Sequence, residues 1–296
     1  MAALALCAWP AGARAQAWTP PAGIGAMTLG GQWVDNTGHR LSDGNLVGGT
    51  STTASVFAEV EYAFTDRFAA SAGLAYVFAK WTDENPQPFP IQPVDACHCW
   101  TSAFQDFTFA ARYRIGNDPW ALTPQVRFVV PSHAYETRGE AVVGRSLREA
   151  QIGLAAGLRL ADLLPDATLQ AGYAYAFVEK VLDVPNDRSN AFFEVGYAVT
   201  RRLYLHVDAR WQWTHGGLRA GYLSGDPFPP PGEIDTPDHV AEHDRLLRDD
   251  HFRLEGGASY SFEAFDLFVS YAGYVRGTDT HAGRAITAGL TYYFGR

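Results

Sequence analysis

Lysine is nearly missing from this chain: Lys80 and Lys180 are the two in 296 residues. Basic residues number 23 against 32 acidic ones, a formal net charge of −9, so no basic surface is implied and nucleic acid is not an expected partner. No uninterrupted apolar run reaches the roughly 18 residues that a membrane-spanning helix needs. If a bilayer is crossed, strands must cross it. Cysteine occurs three times, as Cys7, Cys97 and Cys99. Aromatic residues, in contrast, make up 14% of the chain, and glycine is frequent. That balance does not resemble a helical cytosolic enzyme.

The first residues, MAALALCAWPAGARAQAW, hold an apolar stretch followed by Ala13-Arg14-Ala15, an A-x-A cleavage pattern. The expected organisation is a signal peptide over 1–15 and a single domain over 16–296, exported with Gln16 as the mature start. No Lys or Arg precedes the apolar stretch, which points to a start codon upstream. Cys7 then belongs to the discarded signal, leaving Cys97 and Cys99.

What the sequence has in quantity is alternation. In RLYLHVDARWQW, residues 202–213, Leu203, Leu205, Val207, Ala209, Trp211 and Trp213 alternate with Arg202, Tyr204, His206, Asp208, Arg210 and Gln212. A soluble sheet would turn the apolar face inward. A membrane barrel inverts this, with apolar side chains on lipid and polar ones in a lumen. The same period returns at 53–64 and 67–79 around Thr65-Asp66, at 103–130 around GNDP, at 146–178 around LLPD, at 190–213 around Thr200-Arg201, and at 250–276 near Glu263. Single strands at 24–34 and 284–294 flank these hairpins. The total is about twelve, an even number of spanning length.

Tight turns separate long polar segments at 35–50, 82–100, 131–145, 180–188, 216–249 and 277–283. Short turns on one rim and long loops on the other predict an all-β, transmembrane, antiparallel up-and-down barrel in the bacterial outer membrane, with both termini in the periplasm. Lipid, lipopolysaccharide and the barrel-assembly machinery are then the expected partners, together with a small solute. Trp211 and Trp213 fall at the outer aromatic girdle.

The inverted reading sends Glu59, Glu61, Asp106, Arg112, Arg114, Arg127, Glu149, Arg159, Glu194, His206, Asp208, Arg210, Arg253, Glu255 and Asp266 into the lumen. Arg at the lipid-facing midplane costs about 2–4 kcal/mol, which enforces that placement. The expected function is a channel or transporter for small solutes along a charge-lined passage. A mutually paired, filled interior is the alternative, because about twelve strands lies between filled and water-holding barrels. A structural or adhesive barrel displaying the 216–249 loop is another.

An outer-membrane lipid hydrolase would need a Ser activated by a nearby His. No His here is followed by Ser two positions later, and His206 and His251 point to the lumen by parity, so no catalytic residue is assigned. HVAEH, His239 to His243, matches the zinc pattern H-x-x-E-H but lies in an acidic loop without room for a peptidase domain, and a chance match or a short loop helix is expected. DACHCW places Cys97, His98 and Cys99 in an outer loop, where a disulfide or inert pair is expected ahead of a metal. No cofactor is expected.

FQDFTFAARYRI, 104–115, resembles a strand found in the outer-membrane proteins of the meta-pathway phenol-degradation family, with Gln105 and Ile115 where that family has Gly and an aromatic residue. LREAQIGLAAGLRL, 147–160, and the closing GLTYYF, 289–294, are similar to it as well. The resemblance implies a transporter or channel for small, aromatic or hydrophobic compounds. Fatty-acid-type channels carry an N-terminal hatch, whereas about eight residues separate Gln16 from the first strand here, too few for a hatch or plug domain. Phe294 is similar to the aromatic assembly signal of outer-membrane proteins.

Overall fold

The computed structural model describes residues 17–83, 98–139, 141–160, 164–219, 238–239 and 242–295. Its strands are β1 (Gly25–Arg40), β2 (Leu46–Val47), β3 (Ser51–Ala63), β4 (Phe68–Trp81), β5 (Thr101–Phe104), β6 (Phe107–Tyr113), β7 (Trp120–Val130), β8 (Glu149–Arg159), β9 (Ala167–Val178), β10 (Asn186–Ala198), β11 (Leu203–Gly216), β12 (Asp250–Ser261), β13 (Phe265–Thr278) and β14 (Thr280–Phe294). Each wall strand pairs antiparallel with its neighbours, and β14 returns to β1 from Gly25↔Phe294 to Arg40↔Thr280. β2 is a flap on β1, and β5 and β6 are two halves of one wall strand, so twelve strands close the barrel. Closure leaves no free sheet edge, the condition for strands in hydrocarbon.

The side-chain period decides which face is inside. On β11, Leu205, Val207 and Trp213 are exposed while Asp208 is 2% exposed. On β8, Ile152 is 62% exposed and Ala155 is buried. A continuous apolar outer surface of this extent fits a lipid-facing wall and no water-facing one. Trp211 stacks on Phe252 across the β11–β12 pair, centroids 4.7 Å apart, at the outer end of the strand where a girdle was expected.

The strands run further outward than alternation alone indicated. Residues 277–283, expected as a long loop, are a tight turn between β13 and β14 closed by Asp279 with φ +52°. Likewise β1 continues through Arg40 and pairs with β2. These extensions are polar on both faces, so they carry no hydrophobic period to mark them as strands.

β5 and β6 are split at Gln105–Asp106. Gln105 N–H still donates to Ala75 O at 2.8 Å, yet Tyr76 faces Phe104 and Gly73 faces Thr108, so three residues stand opposite two. This bulge turns the Gln105–Asp106 edge toward the lumen. Both ends of the lumen are narrowed. At the outer end, Leu41, Leu147, Val181, Leu218, Leu246 and Leu247 from four connections form a buried apolar cluster over the mouth. At the inner end, the segment before β1 enters the barrel. Ala17 N–H donates to Gln170 Oε1 at 3.0 Å, and Thr123 Oγ1 donates to Ala17 O at 2.6 Å. Trp18 lies over Gly157, where an added Cβ would fall 2.4 Å from the indole, so glycine is required for that approach. The segment from Ala17 to the first strand thus occupies the inner mouth.

Candidate permeation site

Between the two narrowings lies a cavity of about 240 Å³. Five arginines border it, Arg127, Arg145, Arg188, Arg210 and Arg253, with four carboxylates, Asp106, Glu149, Asp249 and Glu255. Phe192, Val129, Ala174 and Ala272 add apolar wall. Phe192 can lie flat along the wall because its register partner is Gly172, where a Cβ would meet the ring at 2.2 Å.

Most of the charges that sequence parity sent inward fall into three groups. In the wall above the inner rim, Arg112 pairs with Glu61 at 2.6 Å, and Glu59 lies one inward position further along β3. Across β10, β11 and β12, Glu194 faces Asp208 and Asp208 faces Glu255, a row of three carboxylates in adjacent strands. Arg210 sits over that row, with Nη2 3.3 Å from Asp208 Oδ1 and Nε 3.7 Å from Glu255 Oε2. His206 Nε2 is 3.6 Å from Asp208 Oδ2. Beside the cavity, Arg188 pairs with Glu149, and Tyr135 Oη donates to Asp106 Oδ1. Asp266, buried on β13, accepts from Tyr293 Oη at 2.8 Å.

Two members of the expected set stand elsewhere. Arg159 is 48% exposed, bridges Asp118 at 2.8 Å and lies 5.2 Å from the Trp18 ring, so it belongs to the inner rim. Arg114 reaches Asp66 O in the neighbouring turn. Both are inward by parity but near the strand end, and alternation does not report height along the barrel.

Arg145 and Asp249 were not among the expected lumen residues, because they lie in connections without a two-residue period. Arg145 comes from the 131–148 connection, whose polypeptide folds into the mouth and is held there by Tyr135. Burial, and then the charge of Arg188, push its guanidinium below the usual range. Asp249 is 1% exposed and accepts from Gln212 Nε2 at 2.9 Å and from Thr280 Oγ1, with His251 Nδ1 3.0 Å away. Burial opposes its ionisation, but His251, Arg145 and Arg253 outweigh it and hold the carboxyl well below the usual range.

His206, Asp208 and Glu255 could offer one ligand atom each to a metal, all within 4.8 Å of one another; the sequence had singled out no such group. Arg210 already supplies a cation to the two carboxylates. HVAEH forms no comparable cluster among the described residues. His243 opens a four-residue helix, His243–Leu246, and Glu242 is paired with Arg245 at 3.1 Å. Residues 240–241 and Cys97 lie outside the described residues, as does the signal segment. Cys99 is disulfide-bonded.

No family model matches the chain, and no curated protein does. Solved structures do match. The chain is similar to an outer membrane channel from Pseudomonas putida F1, with 13% identity, a TM-score of 0.70, and coverage of 94% of this chain and 98% of that one. It is similar to NanC porin at 9% identity and a TM-score of 0.51, covering 90% and 98%. The transport unit of the autotransporter AIDA-I from Escherichia coli follows at 12% identity and 0.50, covering 97% and 92%. What these comparisons establish is the fold, a β-barrel of the outer-membrane type.

Proposed function

We propose that this chain is a bacterial outer-membrane channel that admits small solutes through a charge-lined lumen. The observation that carries this reading is the cavity inside the barrel, bordered by both signs of charge. Its volume of about 240 Å³ is below the ~300–1,000 Å³ typical of drug-sized pockets, so the solute is small. Phe192 on Gly172 offers a flat apolar contact, which agrees with the aromatic or hydrophobic compounds implied by the phenol-degradation resemblance. The Pseudomonas putida channel, named as such, supports conduction as the role of the shared fold. Lipid and lipopolysaccharide surround the apolar wall, and the barrel-assembly machinery inserts it. The reading assigns no catalytic step.

Liposome swelling with a graded series of neutral sugars and aromatic solutes tests it. Uptake that falls steeply with solute size is the expected result. Folded protein that passes none of the series moves the assignment to a closed, structural barrel, the reading favoured by the buried leucines over the outer mouth.

A further inference from the structure

We propose that Arg145 and Arg253 form an anion-binding station in the lumen that takes the carboxylate of a small organic acid. Arg145 has 10% side-chain exposure; its Nη2 lies 3.6 Å from Asp249 Oδ2, while Nε and Nη1 have no hydrogen-bond partner among the described residues. The Arg253 side chain belongs to a residue 9% exposed; it makes no hydrogen bond and no ion pair within 4 Å among the described residues, and Asp249 is the carboxylate whose charge it feels. Both side chains border the same cavity. Buried guanidinium donors without acceptors are costly, and Arg145 Nε and Nη1 are two such donors facing this space.

Charge accounting gives the sign. Glu149 is taken by Arg188, and Glu255 lies against Arg210. Asp249 is therefore the one carboxylate that Arg145 and Arg253 share, and it is already engaged by Gln212, Thr280 and His251. At this end of the cavity two guanidinium groups, Arg145 and Arg253, stand against the single carboxylate of Asp249, a local excess of one positive charge. A single negative charge balances it, and the surrounding carboxylates repel a second. Guanidinium groups match a planar carboxylate with parallel N–H donors. Phe192 and Val129 border the same space, so the favoured anion has an apolar body rather than being inorganic.

The inference rests on the lumen being the solute's path, and its test is kept apart from conduction. The probes are benzoate, benzamide and inorganic phosphate, titrated calorimetrically into the folded full chain in an uncharged detergent. Benzoate is expected to bind at one site, about tenfold or more tighter than benzamide or phosphate. Arg145→Gln and Arg253→Gln are each expected to lose that margin, and Arg145→Lys to keep part of it. Benzoate binding no tighter than benzamide, an absence of benzoate binding to folded wild type, or Gln variants that bind as wild type would overturn the station. The wild-type comparison alone decides if both Gln variants misfold. Benzoate binding without permeation into liposomes would sink the channel reading and leave the station, whereas permeation without benzoate preference would do the reverse.

Discussion

Tyr135 Oη donates a 2.7 Å hydrogen bond to Asp106 Oδ1, and the same oxygen accepts the backbone N–H of Ser146 at 2.8 Å. One hydroxyl thus ties both arms of the 131–148 connection to the bulge in the wall. Because Arg145 is the residue before Ser146, this bond sets how far the connection reaches into the lumen.

Tyr135→Phe removes that tie and leaves Asp106 without its donor. A loss of about 1–3 kcal/mol is expected locally, too little to unfold a closed barrel. In planar bilayers the variant should conduct more, with added current noise, while its heat-modifiable gel migration stays that of wild type. Unchanged conductance would show that this connection is not the constriction.

Trp18→Ala should open the inner mouth. The indole donates to Asp118 Oδ1 at 3.2 Å and lies over Gly157 beside Ala17, and its removal takes the largest side chain out of that cluster. Faster swelling with the larger sugars is the expected readout. Gly157→Leu should act in the same direction by expelling Trp18, and a decrease in uptake for both variants would contradict the inner-mouth role.

Arg210→Ala leaves Glu194, Asp208 and Glu255 side by side without the guanidinium that lies over them. The reversal potential under a salt gradient should shift toward cations, and the shift should shrink as salt shortens the screening length. A filled barrel instead predicts no resolvable conductance in wild type and a stability loss of about 3–5 kcal/mol in the variant, read by denaturant midpoint.

The H-x-x-E-H match separates into two different residues. His239 is half-exposed, and His239→Ala should change neither folding nor permeability. His243 is 3% exposed in the cap, 3.7 Å from Asp244, so His243→Ala should loosen the cap and raise proteolysis of the outer connections. Stoichiometric zinc binding lost in the double variant would instead make the pair a metal site.

Asp249 makes the cap sensitive to acid in a defined direction. Its carboxyl is held low in the folded state, so its contribution is complete above the unfolded value of about 3.9 and is lost as pH falls from there through the folded value. Hydrogen exchange at 246–249 should stay slow from neutrality to about pH 4 and speed up below it. In Asp249→Asn the protection should already be weak at neutral pH, with little further change on acidification.

The barrel wall was legible in the sequence because its cause is local. A two-residue period puts Val207 on lipid and Asp208 in the lumen whatever the distant chain does; parity across the Thr200–Arg201 turn leaves His206 or Asp208 beside Glu194, and the register selects Asp208. The lumen's contents were not legible, because their cause is long-range. Ala17 reaches Gln170 across 153 positions, and Asp249 collects Gln212, Thr280 and Arg145 from three separate stretches. Arg145 carries no periodic signal at all; only the tertiary fold of its connection buries it. Alternation therefore determined which strand residues face inward, while closure of the barrel decided at what height they sit, which charges meet, and where a guanidinium is left without an acceptor. The physical reason is that side-chain direction in a strand is set by backbone geometry within two residues, whereas a charge's partner is set by whatever the rest of the chain brings beside it.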